Sequence, residues 1–161
     1  MSRAKPILVA LALALVAPQA EAAPAPQQWL KAKIVVKSKL PLEPNELKWE
    51  LVLTNEGKEP VRVCTLCGGW GAGWKGNVEQ TFAPDFWKSD RPREEEFDKH
   101  IVTLKEGESV SLPASLVGYR GEKYTLTASY QVGKEFAARH KVWGGKAEAK
   151  PIIISAVKKK D

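Results

Sequence analysis

The sequence predicts an all-β fold, an antiparallel β-sandwich of about seven strands with one long loop insertion. Apolar and polar residues alternate over several stretches of strand length, and turn-forming residues punctuate the chain between them. Beyond the N-terminal segment, no stretch keeps a helical period for long.

The first strand is read from Leu30, Ala32, Ile34 and Val36, which alternate with Lys31, Lys33 and Lys37. Such a pattern gives one apolar face and one charged face, as in a strand with water on one side. Leu47, Trp49, Leu51 and Leu53 repeat it against Lys48, Glu50 and Thr54. Asn55-Glu56-Gly57-Lys58-Glu59-Pro60 concentrates turn formers, and Val61-Arg62-Val63 starts the partner strand. Ile101 to Leu104 and Val110 to Leu112 flank a second turn, Lys105-Glu106-Gly107-Glu108. Tyr124, Leu126, Ala128, Tyr130 and Val132 alternate with Thr125, Thr127, Ser129 and Gln131, which assigns the first set to the core. The last strand covers Pro151 to Val157 and takes in residues before the proline. Trp49 and Trp143 are expected to be buried at the open end of the sandwich.

LTNEGKEPVRV (53 to 63) resembles the second-to-third strand turn of the immunoglobulin-like domains of exported bacterial proteins. LKEGESVSLP (104 to 113), followed by GEKYTLTASY (121 to 130), resembles their Gly-Glu-Ser turn and the tyrosine-bearing strand after it. The resemblance implies an immunoglobulin-like sandwich over 29–161. It implies no active site, because such domains serve as spacers, adhesins, inhibitors and subunits.

The N-terminal segment reads as a signal peptide over 1–22. Arg3 and Lys5 precede the apolar run Ile7 to Ala17, and Ala20-Glu21-Ala22 offers the small residues a signal peptidase reads. That run is about half the ~20 residues a membrane span needs, and no later segment is more apolar. A flexible Pro/Gln-rich lead-in, 23–28, follows. The expected location is periplasmic or secreted, with no membrane span in the mature chain. The formal charge is +6, but the basic residues are spread along the chain apart from Lys158-Lys159-Lys160. Nucleic acid binding would need a concentrated basic face, so no nucleic acid partner is expected.

What is individual about the chain lies in the insertion, 64–99, which opens with CTLCGGWGAGWKG. A redox CxxC needs its first cysteine at a helix N-terminus. Gly68, Gly69, Gly71 and Gly73 oppose that helix at about 1 kcal/mol each. For an exported chain with two cysteines the expectation is a Cys64–Cys67 disulfide, a short ring worth roughly 2 kcal/mol that staples a turn. The alternative is a zinc or copper site in which Cys64 and Cys67 are joined by His100 or His140, although the spacing matches no compact zinc module. His100 sits at a strand start and His140 in the polar loop GKEFAARHK, where a surface position is the commoner fate of each. Arg91-Pro92-Arg93-Glu94-Glu95-Glu96, after Ser89-Asp90, is read either as a short capped helix or as a solvated connection.

Trp70, Trp74 and Trp87 remain. They either cap the end of the sandwich or present flat faces to a ligand or partner. Neither a GxSxG elbow, a zincin helix, a phosphate loop nor a dinucleotide fingerprint is present. The expected function is therefore a non-enzymatic binding or accessory module, without a cofactor. Its partner is a protein or a cell-envelope polymer met through the insertion. A purely structural domain is the remaining alternative.

Overall fold

The computed structural model describes residues 29–38, 46–74, 76–87, 91–117 and 123–155. Residues 1–28, read as a signal peptide and a lead-in, and those beyond Ser155, including the expected strand end at Val157, lie outside the described residues. The fold is all-β: β1 (Leu30–Val36), β2 (Glu46–Asn55), β3 (Val61–Cys64), β4 (Gly68–Trp74), β5 (Asn77–Ala83), β6 (Ile101–Leu104), β7 (Ser109–Val117), β8 (Lys123–Val132), β9 (Gly145–Glu148) and β10 (Ile152–Ser155). Two short helices, α1 (Glu94–Lys99) and α2 (Lys134–His140), complete it. Among the described residues, no helix is long and apolar enough to cross a membrane.

The strands form a three-stranded sheet in the order β1-β2-β7, a larger sheet in the order β10-β8-β5-β4, and a separate β3-β6 pair. β9 also pairs with β8, beside β10. Pro151, which has no N–H to give, falls between these two short strands. An isolated bridge from Ala32 to Ala149 links the edge of the first sheet to the second.

Two expectations need correction. There are more strands than seven: the glycine-rich stretch expected as a loop is the hairpin β4–β5, with Gly68 paired to Ala83 and Trp74 to Asn77, and the residues before Pro151, expected in the last strand, form the separate β9. Nor is every pairing antiparallel: β5 runs parallel to β8, from Asn77 beside Thr125 to Phe82 beside Tyr130. A parallel pair needs a crossover of a dozen residues or more, and α1, β6 and β7 supply it.

The alternating patterns place the core as expected. Leu47, Trp49, Leu51 and Leu53 of β2 are buried, as are Tyr124, Leu126, Ala128, Tyr130 and Val132 of β8. The lysines of β1 are exposed. The sheets meet through this core: Trp49 of β2 packs edge-on against Phe82 of β5, with ring centroids 5.7 Å apart. Trp143 is also buried, stacked on Tyr130 at 5.9 Å.

The two predicted turns are fastened together by one buried side chain. Asn55 Nδ2 donates to the carbonyls of Glu59 (2.8 Å) and Leu104 (3.0 Å), and its Oδ1 accepts from Gly57 N (2.9 Å). Its main chain bonds Glu108 O and Gly107 N. A fully buried asparagine is tolerated because its polar groups are matched in this way.

The pleat of β8 gives a direct test. Leu126→Ala should cost about 2–5 kcal/mol, as truncations of buried leucine do. Thr127→Ala should cost about 1 kcal/mol or less, since it removes only the Oγ1 bond to Val78 O. Equilibrium denaturation measures both, and equal costs would show the faces to be misassigned.

Candidate functional site

The stretch expected as an insertion begins at Cys64, the last residue of β3. Its N–H donates to Tyr130 Oη at 3.1 Å, and the same hydroxyl donates to Cys64 O at 3.0 Å. The expected disulfide is absent, and Cys64 and Cys67 are free thiols. Each sulfur turns to a main-chain carbonyl instead: Cys67 Sγ to Cys64 O at 3.4 Å, and Cys64 Sγ to Leu66 O at 3.7 Å and Phe97 O at 4.0 Å. Burial pushes both thiols above their ordinary value of 9.0. For Cys67 the neighbouring Cys64 and Asp85 push further in the same direction. For Cys64 the bond to Leu66 opposes the rise, and Asp98 adds to it. Thiols held neutral behave as small apolar side chains, since the thiolate is the nucleophile and the metal ligand.

The four residues of the metal alternative are not brought together. His100 is exposed at the C-cap of α1, where its carbonyl accepts from Thr65 N and Oγ1. Among the described residues, no group of three or more His, Cys, Asp or Glu side chains is placed to hold a metal ion.

His140 is not the surface histidine of a polar loop. GKEFAARHK contains the helix α2, in which Phe136 and His140, one turn apart, are both buried. The His140 ring lies 4.3 Å from Phe136 and 5.7 Å from Phe97 between centroids. Its Nδ1 meets Asp98 Oδ1 and its Nε2 meets Glu94 Oε2, each at 2.9 Å. A carboxylate accepts, so whichever ring nitrogen carries a proton donates to its partner. The other oxygen of Glu94 takes Arg91 and Arg139, each at 3.1 Å. These contacts clamp α1 to α2. Of the two readings of Arg91 to Glu96, the helix is present but later in the chain: it begins at Glu94, and Arg93 at its N-cap gives no side-chain bond. Phe97, buried edge-on against Phe136 at 5.1 Å, is what holds it in place.

Between these two anchors runs the hairpin. Gly76, at φ +86°, makes its turn, and the Gly76 carbonyl accepts from Thr125 N of β8 at 2.8 Å. Gly69 and Gly71 leave room for the Gln80 side chain: a Cβ at either would meet its carboxamide at 2.6–2.7 Å. Trp70 and Trp74 occupy the β4 positions opposite Thr81 and Asn77. Their side chains lie outside the described residues. Trp87 is half-buried against the core, and its indole N–H donates to Pro84 O at 3.0 Å. Beside α2 an open cleft of about 480 Å³ is lined by Arg91, Lys134 and Arg139, but also by Asp85 and Glu135, so it favours neither sign of charge.

Compared with protein-family models, curated proteins and solved structures, the chain matches none. The site is read from its geometry alone. That geometry was partly missed in the sequence, although Phe136 and His140 at i and i+4 carried the signal for α2.

The thiols give the second prediction. Thiol counting should find two groups after denaturation and slow labelling of the folded protein near neutral pH. The unfolded chain ionises near 9 while the folded chain keeps its protons. Stability is therefore full below about pH 9 and falls as pH rises above it. Tyr130, raised by burial first, works in the same direction. Denaturant midpoints at about pH 7.5 and about pH 10.5 should show the fall, and an unchanged midpoint would contradict it.

The clamp gives the third. His140→Ala should cost about 2–3 kcal/mol, because a buried ring and two charged contacts are lost together. Glu95→Ala, on the exposed face of α1, should stay within about 0.5 kcal/mol. Thermal denaturation of the two variants separates them.

Proposed function

We propose that this protein is an exported, non-enzymatic binding module of the immunoglobulin-like type, which meets a protein or a cell-envelope polymer through the 64–99 insertion. The β1-β2-β7 sheet and the tyrosine-bearing β8 at the centre of the second sheet support the immunoglobulin-like reading. The non-enzymatic reading draws support from the candidate reactive groups. Cys64 and Cys67 are held neutral by burial, and His140 spends both ring nitrogens on carboxylates.

One observation carries the proposal: the insertion is a hairpin built into the sheet, and its outer strand bears the two tryptophans. Opposite residues of an antiparallel pair share a face. Gly69 and Gly73 are thus on the face of Phe82 and Val78, which are core residues, and Trp70 and Trp74 are at the alternate positions. Aromatic residues bury large area at little entropy cost, which is why they dominate interfaces. A strand fixed at both ends loses less freedom on binding than a free loop.

Trp70→Ala and Trp74→Ala test the reading, made separately and compared for thermal stability and for retention by purified envelope polymer and envelope protein extract. Retention should fall at least about tenfold with the melting temperature kept. Large stability losses at both positions, with retention unchanged, would make the insertion a structural element instead.

A further inference from the structure

The chain has a formal charge of +6, but its basic surface gives way on one face of the larger sheet. Residues in register on neighbouring strands share a face. Thr81 is in register with Ser129 and Glu79 with Thr127, and Glu148 lies opposite Ser129. These side chains therefore stand on the outer face, away from the core residues Phe82, Leu126 and Tyr130. Two hollows open there. One, of about 340 Å³, is lined by Glu79, Thr127, Ser129 and Glu148. The other, of about 210 Å³, is lined by Thr81, Asp85, Phe86 and Gln131. The charged side chains of both are carboxylates, with no lysine or arginine among them. Between the hollows the buried hydroxyls of Thr81 and Ser129 bond each other at 3.2 Å. One O–H of that pair donates across, and the other is left to donate elsewhere.

We propose that this face binds an uncharged polysaccharide, one extended chain lying along β8 from Phe86 to Ile153. The inference rests on the binding reading above and names the ligand. Three observations select it over a protein or an anionic polymer. A protein interface is apolar at its centre and polar at its rim. Here the order is reversed: hydroxyls and carboxylates fill the middle, and the exposed Phe86 and Ile153 stand at the two ends, Ile153 opposite Thr125. An anionic polymer would meet Glu79 and Asp85, whose charges no cation of the hollows offsets. Glu148 is paired with Lys146, so the strip carries little net charge for a cationic partner either. A sugar chain matches what remains. Its O–H groups donate to carboxylate and hydroxyl oxygens, and its oxygens accept from hydroxyls such as that of the Thr81–Ser129 pair. The C–H faces of its rings suit flat aromatic side chains. Phe86 supplies one, and the Trp70 and Trp74 positions stand on the same face, in register with Thr81 and Asn77. From Thr125 to Gln131 the strip runs straight for about 20 Å along one strand, which suits an extended chain.

Retention of the full protein by chitin and by cellulose in about 0.5 M salt tests the proposal, because salt at that strength screens any attraction of a basic chain to anionic groups. At least one of the two polymers should retain it. Thr127→Arg lays a long side chain across the strip and should weaken retention at least about tenfold. Glu79→Gln and Phe86→Ala should each weaken it at least about threefold, by loss of one charged acceptor or one aromatic face. Lys33→Glu, on the other sheet, should leave it unchanged.

Retention by neither polymer would overturn the proposal, as would retention that disappears in salt or that Thr127→Arg leaves intact. Should Thr127→Arg fail to fold by circular dichroism, Glu79→Gln and Phe86→Ala decide, and unchanged retention in both would overturn it. The outcomes also separate this inference from the reading it rests on. An envelope protein held through Trp70 and Trp74, with no polysaccharide bound, would sink the polysaccharide and leave the binding module. Polysaccharide lost in Thr127→Arg but kept in Trp70→Ala and Trp74→Ala would do the reverse, leaving the β8 face and removing the insertion as the working surface.

Discussion

One buried hydroxyl fixes where the chain leaves β3. Tyr130 Oη satisfies both main-chain groups of Cys64, and the ring is stacked on Trp143. β3 thus reaches β8 through a side chain and not through a ladder, and it forms its own small sheet with β6. The β8 edge away from β9 and β10 is then taken by β5, the inner arm of the hairpin. Losing that hydroxyl would orphan the buried Cys64 N–H, at about 1–3 kcal/mol, and leave Cys64 O with the Cys67 thiol alone.

The far end of the insertion is held by different means. Glu94 and Asp98 are largely exposed, so their charges contribute little alone. What is protected from water is the His140 ring with Phe97 and Phe136 around it. The aromatic cluster supplies the burial, and the carboxylates set the orientation of the ring. A short helix such as α1 or α2 has little stability in isolation, because nucleation costs more than so few turns return. Each helix persists because the other covers its apolar face.

This explains how much was legible in the sequence. Strands whose residues alternate, such as Leu47 to Leu53 and Tyr124 to Val132, announce their faces because each position meets only core or water. The hairpin was not legible, because glycine has low strand propensity and Gly68 to Gly73 shows no apolar alternation. Its strand state is imposed by β5 and Gln80, which are tertiary neighbours. Helix α2 spans only seven residues, too few for a helical period to stand out, yet its burial decides the fate of His140. The cysteines were misjudged for another reason. Their pairing was inferred from the compartment, and the compartment does not dictate where two sulfurs point. Here local carbonyls receive both.

A strand with four glycines is costly, since each loses more backbone freedom than alanine would, by roughly 0.5–1 kcal/mol. The neighbours explain why the cost is tolerated. A Cβ at Gly68 would collide with the carbonyl of Phe86, and at Gly69 or Gly71 it would strike Gln80. The missing side chains are spaces already filled by the 84–87 turn and by β5. The 84–87 turn and Gln80 thus cover the glycines from opposite faces and β5 pairs with one edge, while along the other edge no described strand pairs with β4. A more stable β4, with side chains at those positions, would have to displace the turn and the glutamine that now anchor it.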